Sequence, residues 1–219
     1  MERSFWQERW DTGHIGFHEG KPNALLQQHA DLLAPAARVL VPLAGKAHDL
    51  LWLARRGHAV VGVEIVERAC REFFAEHGTP MEEEERDDIR AFRSTDAATP
   101  VELWCADFLA LTPARCGTFG GLYDRAALVA LSPATRARYV ETCASLLEPG
   151  AGGLLITFDY DQSKLEGPPW SVPLAEVQRL YQRHFRVQEI VSRETTINPR
   201  FVEAGVRGAR EVAVALTCS

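Results

Sequence analysis

A chain of 219 residues with 46% hydrophobic and 25% charged side chains has enough apolar material for one sizeable core, and its formal net charge of -6 argues against a protein built to grip phosphate backbones. Five scattered cysteines with no Cys-x-x-Cys spacing exclude a disulfide framework and a structural zinc site as readings. No apolar run approaches membrane-spanning length and no basic-then-apolar leader opens the chain, so the expectation is a soluble, cytoplasmic, single-domain protein, monomeric, with no metal and no nucleic-acid or membrane partner.

In chain order, Ser4 to Trp10 is aromatic-rich and begins with a residue able to cap a short helix. A glycine-containing loop, Asp11 to Phe17, follows. Pro22 opens a helix with Leu25, Leu26, His29, Leu32 and Leu33 on one face, and Pro35 ends it. Arg38–Val41 reads as a buried strand, and the loop Pro42–Lys46 leads into a helix carrying Ala47, Leu50, Leu51 and Ala54. Ala59–Val63 is a continuous apolar run, as a strand covered on both faces should be, and Glu64 closes it. A helix from about Val66 to His77 completes a strand–helix–strand–helix unit.

Residues 81–100 break the pattern. Their acidic run, Met81 to Asp88, reads as a solvated loop or helix end. Further strands are expected at Val101–Cys105, at Phe119–Tyr123 (ending on Asp124-Arg125) and at Gly153–Phe158. A long helix from Pro133 to Leu147 is stopped by Pro149-Gly150, and Leu174, Val177 and Tyr181 mark another. Phe185–Val191 and Glu211–Leu216 are the last two strands, with no long helix between them. This is a doubly wound, mostly parallel α/β sheet, in which ligands sit beyond the carboxyl ends of the strands.

Those strand ends narrow the ligand. An acidic residue at the end of the second strand, here Glu64, accepts hydrogen bonds from the ribose hydroxyls of an adenosine. The first loop, Pro42-Leu-Ala-Gly-Lys-Ala47, has one glycine and matches neither phosphate-cradling pattern. S-adenosyl-L-methionine has no phosphate to cradle; it needs a close backbone approach, which Gly45 allows. Its sulfonium is stabilised by aromatic faces, for which Trp6, Trp10 and Phe17 are candidates on an N-terminal lid of about residues 1–22. His14 and His18, with Gly16 between them, read as loop histidines rather than metal ligands.

The segments Phe5-Trp-Gln-Glu-Arg-Trp10, Gly16-Phe-His18, Val41-Pro-Leu-Ala-Gly-Lys46 and Gly57 to Glu64 resemble the thiopurine S-methyltransferase family. So do Tyr123 to Ala130, Tyr160-Asp161, Gly167-Pro-Pro-Trp170 and Asn198-Pro-Arg-Phe201, in the same order along nearly the whole chain. The resemblance implies a seven-stranded, Rossmann-like class I methyltransferase sheet. It implies S-adenosyl-L-methionine as cofactor, leaving as S-adenosyl-L-homocysteine, with contacts at Trp10, Leu43, Glu64 and Arg125, Trp6 in the same covering segment, and Ala106 and Asp107 at the adenine. Phe17 and Arg200 match positions lining the acceptor pocket. Two departures stand out: Ala44 where many relatives carry Cys, and Ala106, which lacks a hydroxyl some relatives have.

The implied reaction moves a methyl group to the sulfur of a small aromatic or heterocyclic thiol, or to a selenium or tellurium compound. Such acceptors ionise near neutral pH, so the protein's part is alignment rather than general-base catalysis. No residue is assigned as a certain catalytic group; Arg125 is the candidate for orientation. The alternatives are a related methyltransferase for halide or another small acceptor, an inactive cofactor-binding homologue and, disfavoured by the first loop, a nucleotide-dependent oxidoreductase.

Overall fold

The computed structural model describes residues 3–86 and 89–219. Residues 1–2 of the expected lid and Asp87-Asp88 of the acidic run lie outside the described residues. Among these, no helix is long and apolar enough to cross a membrane.

Helix α1 (Arg3–Asp11) precedes α2 (Ala24–Gln28), whose first amides, Leu25 and Leu26, donate to the Asn23 side chain. The expected helix through Leu33 is two pieces: α2 stops at His29, and a single 3-10 turn, Ala30–Leu32, follows. Then come β1 (Arg38–Pro42), α3 (His48–Arg55), β2 (Ala59–Glu64) and α4 (Glu67–Glu76). Strands β3 (Met81–Arg86), β4 (Ile89–Ser94) and β5 (Val101–Cys105) lead to α5 (Pro113–Cys116) and β6 (Phe119–Arg125). The chain ends with α6 (Pro133–Leu146), β7 (Leu147–Tyr160), α7 (Leu174–Tyr181), β8 (Phe185–Thr195), α8 (Pro199–Glu203) and β9 (Ala209–Cys218).

The strands form one sheet in the order β3-β4-β5-β2-β1-β6-β7-β9-β8. The run β5-β2-β1-β6-β7 is parallel, and β9 enters antiparallel between β7 and β8. Chain order reverses between β1 and β6, so the switch-point crevice lies beyond the carboxyl ends of those two strands. Successive β1 residues point to opposite layers: Val39 and Val41 pack with Leu25, Leu50 and Phe73, and Leu40 with Phe108, Tyr139 and Val177. Buried Asp49 locks three elements beneath the crevice. It accepts the Asn23 amide at 2.7 Å and the Tyr123 hydroxyl at 3.0 Å, joining α2, α3 and β6.

Two expectations are corrected here. The sheet has nine strands, because the acidic stretch is not a loop: β3 and β4 pair antiparallel and extend the edge beyond β5. Cross-strand charge makes this possible. Glu82 faces Arg93 and Glu85 faces Arg90, while Glu83 pairs with Arg71 of α4. Ile89 and Ala91 bury one face of β4 and Phe92 the other. The outer strand stays charged, which suits an edge that must not recruit another chain. The second correction is the start of β7: expected at Gly153, it begins at Leu147, directly after α6, and so takes in Pro149-Gly150. Gly150 sits at a register shift opposite Phe119–Gly121, where an unpaired, positive-φ residue is tolerated.

Candidate functional site

The loop after β1 bends sharply at the crevice. Leu43 and Gly45 both take positive φ, 47° and 53°, as does Ala126 (63°) after β6. Left-handed backbone at two non-glycine positions, each at the end of a central strand, is the kind of local strain that collects at ligand sites. The turn is tied to β2 by Ala44 N–H donating to Val63 O at 2.9 Å. Gly45 N–H donates to Glu64 Oε2 at 3.0 Å, and Val66 N–H to Glu64 Oε1 at 2.9 Å. Burial pushes the Glu64 carboxyl up in pKa, while the amides of Val66 and Gly45 favour its charged form. Each carboxylate oxygen accepts about two hydrogen bonds. The Gly45 and Val66 amides use one on each oxygen and the Ile65 amide also favours the charged form, so at most one acceptor position on each is left for a diol.

Glu64 lines a cavity roofed by α1 and the loop after it. Trp6, Arg9 and Trp10 share one face of α1 at helical spacing and line the cavity with Gly16 and Phe17. Phe17 meets Trp6 and Trp10 edge-on, with ring centroids 5.9 and 5.8 Å apart. Trp10 is buried against Ile65, Val66 and Ala69, which moors the roof on the start of α4. Three further ties hold it. Arg3 donates to Ile65 O at 3.2 Å, Arg125 donates to Phe17 O at 2.7 Å and pairs with Glu19, and His18 stacks on His48, which contacts His77. Lys46, although in the first loop, points away from the cavity to Glu72 and Glu76 of α4.

The opposite wall comes from Ala126, Val129 and Ala130 after β6, and from Pro168, Pro169 and Asn198. The proline loop is fixed at several points. Trp170 N–H donates to Val129 O at 2.7 Å, and the Tyr160 hydroxyl to Pro169 O at 2.8 Å. The Trp170 ring lies where a Cβ on Gly167 would stand, 2.5 Å from its Cγ, so this contact requires glycine. Asn198 caps α8 by accepting the Phe201 amide.

Of the residues expected from sequence, Trp6, Trp10, Phe17, Leu43 and Glu64 come together around this cavity. Gly45 lies directly under Trp10 and opens onto a small adjoining cleft that also takes in Leu43, Phe17 and Arg125. Arg125 therefore stands beside the main cavity, not in its wall. Ala106 and Asp107 also lie outside that wall. Ala106 is buried, its amide on Glu64 O, and exposed Asp107 accepts the Leu109 amide, capping a 3-10 turn. Arg200 is exposed and holds the proline loop from outside, donating to Pro168 O and Glu166 O at 3.3 Å each. Lining residues not expected as site residues include Arg9, Ile65, Asn198, the Ala126, Val129 and Ala130 wall, and the two prolines. Arg9 was findable, since it falls three residues after Trp6 on the same helical face. The prolines come from far along the chain, and no local spacing points to them.

The family profile described as Thiopurine S-methyltransferase (TPMT) matches residues 1–218. The thiopurine S-methyltransferase of Pseudomonas fluorescens (strain Pf0-1) is 47% identical over 214 residues, 96% of this chain and 96% of the relative. That of Pseudomonas entomophila (strain L48) is 44% identical over 220 residues, 99% of this chain and 100% of the relative. Among solved structures, Burkholderia thailandensis 1,6-didemethyltoxoflavin-N1-methyltransferase, with bound 1,6-didemethyltoxoflavin and S-adenosylhomocysteine, superposes with a TM-score of 0.59 at 18% identity. It covers 99% of this chain and 87% of that one. TehB from Haemophilus influenzae superposes with a TM-score of 0.64 at 10% identity, over 97% of this chain and 67% of that one. At these identities the two structures speak for the fold alone.

Proposed function

This chain belongs to the thiopurine S-methyltransferase family and is an S-adenosyl-L-methionine-dependent S-methyltransferase; from that premise we propose that its acceptor is a small aromatic or heterocyclic thiol, seated between α1 and the proline loop and entering as its thiolate. One observation carries the acceptor class. The residues lining the cavity include no His, Cys, Lys, Tyr or Asp, and their one carboxylate, Glu64, is already engaged by two backbone amides. Among the described residues, no free general base lines the cavity. An alkyl thiol, with a pKa of about 8.5, is mostly protonated at neutral pH, whereas an aromatic thiol, or a heterocyclic thione on loss of its ring N–H proton, gives the thiolate more readily. A selenol meets the same requirement.

The cofactor supplies a methyl group already activated on a sulfonium. The protein's residues bind, orient and exclude water. Glu64 offers its remaining acceptor positions to the ribose hydroxyls, which is the fit expected of an adenosine. Gly45, with no side chain, lets the ligand approach the backbone under Trp10. Arg125 faces the adjoining cleft, where its guanidinium suits the carboxylate of the cofactor's amino-acid end. Trp6, Trp10 and Phe17 present aromatic surface to a cation and shut out water, leaving alignment of acceptor sulfur and methyl carbon as the main catalytic contribution.

The test is to incubate the purified protein with S-adenosyl-L-methionine and 6-mercaptopurine, and to quantify S-methyl product and S-adenosyl-L-homocysteine together. Equal amounts of both, with much slower turnover of an alkyl thiol at neutral pH, are expected. An alkyl thiol turned over as fast as the thiopurine would overturn the ionised-acceptor reading.

A further inference from the structure

Arg9 is a cation of the cavity wall that no carboxylate ion-pairs among the described residues; its chain neighbour Glu8 is the weaker, unpaired countercharge. Its Nε is buried and has no hydrogen-bond partner. Its Nη1 reaches only His14 O, at 3.5 Å, the long limit of a hydrogen bond. The guanidinium carbon lies 4.8 Å from the centroid of the Phe5 ring, and Arg9 forms no ion pair among the described residues. Burial, and then the charge of Arg200, hold its pKa below the ordinary arginine value. Arg200 spends its donors on the carbonyls of Pro168 and Glu166, so it too brings positive charge without a carboxylate.

Two like charges near each other, one of them with an idle buried donor, form an arrangement that an anion completes. A buried donor left unsatisfied costs free energy, and a charge-assisted hydrogen bond recovers it. The place of that anion follows from the neighbours. Arg200 is bonded to Pro168, which lines the cavity together with Arg9 and Asn198. An anion near Glu64 would meet a carboxylate, so the favourable end is the proline wall. We infer that Arg9 determines acceptor specificity by reading a carboxylate, or an equivalent anionic substituent, carried by the acceptor apart from the reacting sulfur. The inference rests on the S-methyltransferase reading of this cavity.

The experiment compares 4-mercaptobenzoate with its neutral amide, 4-mercaptobenzamide, in the wild type, Arg9→Met and Arg9→Lys. The readouts are kcat and KM for both thiols, and calorimetric titration of both thiols into protein saturated with S-adenosyl-L-homocysteine. The wild type should prefer the carboxylate. In Arg9→Met the ratio of kcat/KM, benzoate over benzamide, should fall about tenfold or more, as expected for loss of a charged hydrogen bond. The change should appear in KM rather than kcat, and Arg9→Lys should restore much of the ratio. An unchanged ratio overturns the inference, including the case in which both thiols lose equally. So does a loss of S-adenosyl-L-homocysteine affinity as large as the loss for the benzoate, because Arg9 would then serve the cofactor. If the wild type methylates neither thiol, the acceptor reading fails, but the titrations still decide the anion site: a carboxylate preference abolished in Arg9→Met upholds it, and no preference sinks it.

Discussion

Arg125 and Glu19 join the end of a central strand to the segment that roofs the cavity. The pair is partly exposed, at 18% and 42% of the two side chains, and a second Arg125 donor holds Phe17 O. Their substitutions should therefore differ in size. Glu19→Ala removes only an exposed ion pair, worth about 1 kcal/mol or less, and should weaken S-adenosyl-L-homocysteine binding by no more than about fivefold. Arg125→Ala also frees the Phe17 carbonyl and removes the guanidinium of the adjoining cleft, so a loss of at least about tenfold is expected, as for a charged hydrogen bond. Limited proteolysis between residues 12 and 22 should speed up in the same order. Equal effects of the two variants would mean that Arg125 acts through Glu19 alone.

Glu64→Gln tests the paired-amide geometry. A carboxamide has one acceptor oxygen and one donor nitrogen, so either the Gly45 or the Val66 amide must face an N–H. The expected loss of stability is about 1–3 kcal/mol, the cost of a buried donor left unsatisfied. Binding of S-adenosyl-L-homocysteine should fall at least about tenfold, since a ribose hydroxyl then meets a donor. Denaturant unfolding and calorimetry on the same preparation separate the two effects. Full stability with weakened binding would show that the amides tolerate the exchange.

The parallel core of this fold was legible because buried strands announce themselves as apolar runs, and Glu64 because it ends one of them. The edge hairpin was not. A run of glutamates has the composition of a solvated loop, and only the arginines opposite it, at positions 90 and 93 and on α4, make it a strand. Arg125 and Arg200, expected in the site, stand beside the cavity rather than in its wall: Arg125 divides its donors between the Phe17 carbonyl and Glu19, and Arg200 gives two to backbone carbonyls. Which way a long side chain points depends on what the distant chain offers it, and neither residue's local sequence contains that.

Gly45→Ala probes the close approach beneath the roof. The position has a φ of +53°, and its added Cβ would stand 3.4 Å from Trp10 Cζ2 and 3.7 Å from Phe17 Cε2. The left-handed backbone alone costs a β-carbon about 1–2 kcal/mol, so the midpoint of thermal unfolding should drop by several degrees. The new methyl would also lie in van der Waals contact with the Trp10 ring. Intrinsic tryptophan fluorescence should shift with it, and cofactor affinity should fall by more than the backbone strain alone would require. A variant with wild-type affinity and an unmoved spectrum would show that the roof does not rest on Gly45.

Asp124 gives the fold a pH dependence opposite to that of its surface carboxylates. It is fully buried, accepts the Tyr139 hydroxyl at 2.7 Å and the Leu128 amide at 3.2 Å, and burial pushes its pKa up to about 6, against an ordinary 3.8. Between those values the folded state holds the proton more tightly than the unfolded state. The stabilisation is therefore complete below about pH 4 and is lost as the pH rises through about 6. A difference of roughly two pKa units corresponds to on the order of 3 kcal/mol. Glu67, Glu83 and Glu84, held down in pKa by arginine partners, give the opposite slope, but they are common to wild type and variant. In Asp124→Asn, neutral throughout, the stability relative to wild type should rise by about 2–3 kcal/mol from pH 4 to pH 7. Urea unfolding across that range measures it. A stability difference that stays flat with pH would mean that the buried carboxylate keeps an ordinary pKa and that its two hydrogen bonds offset the burial.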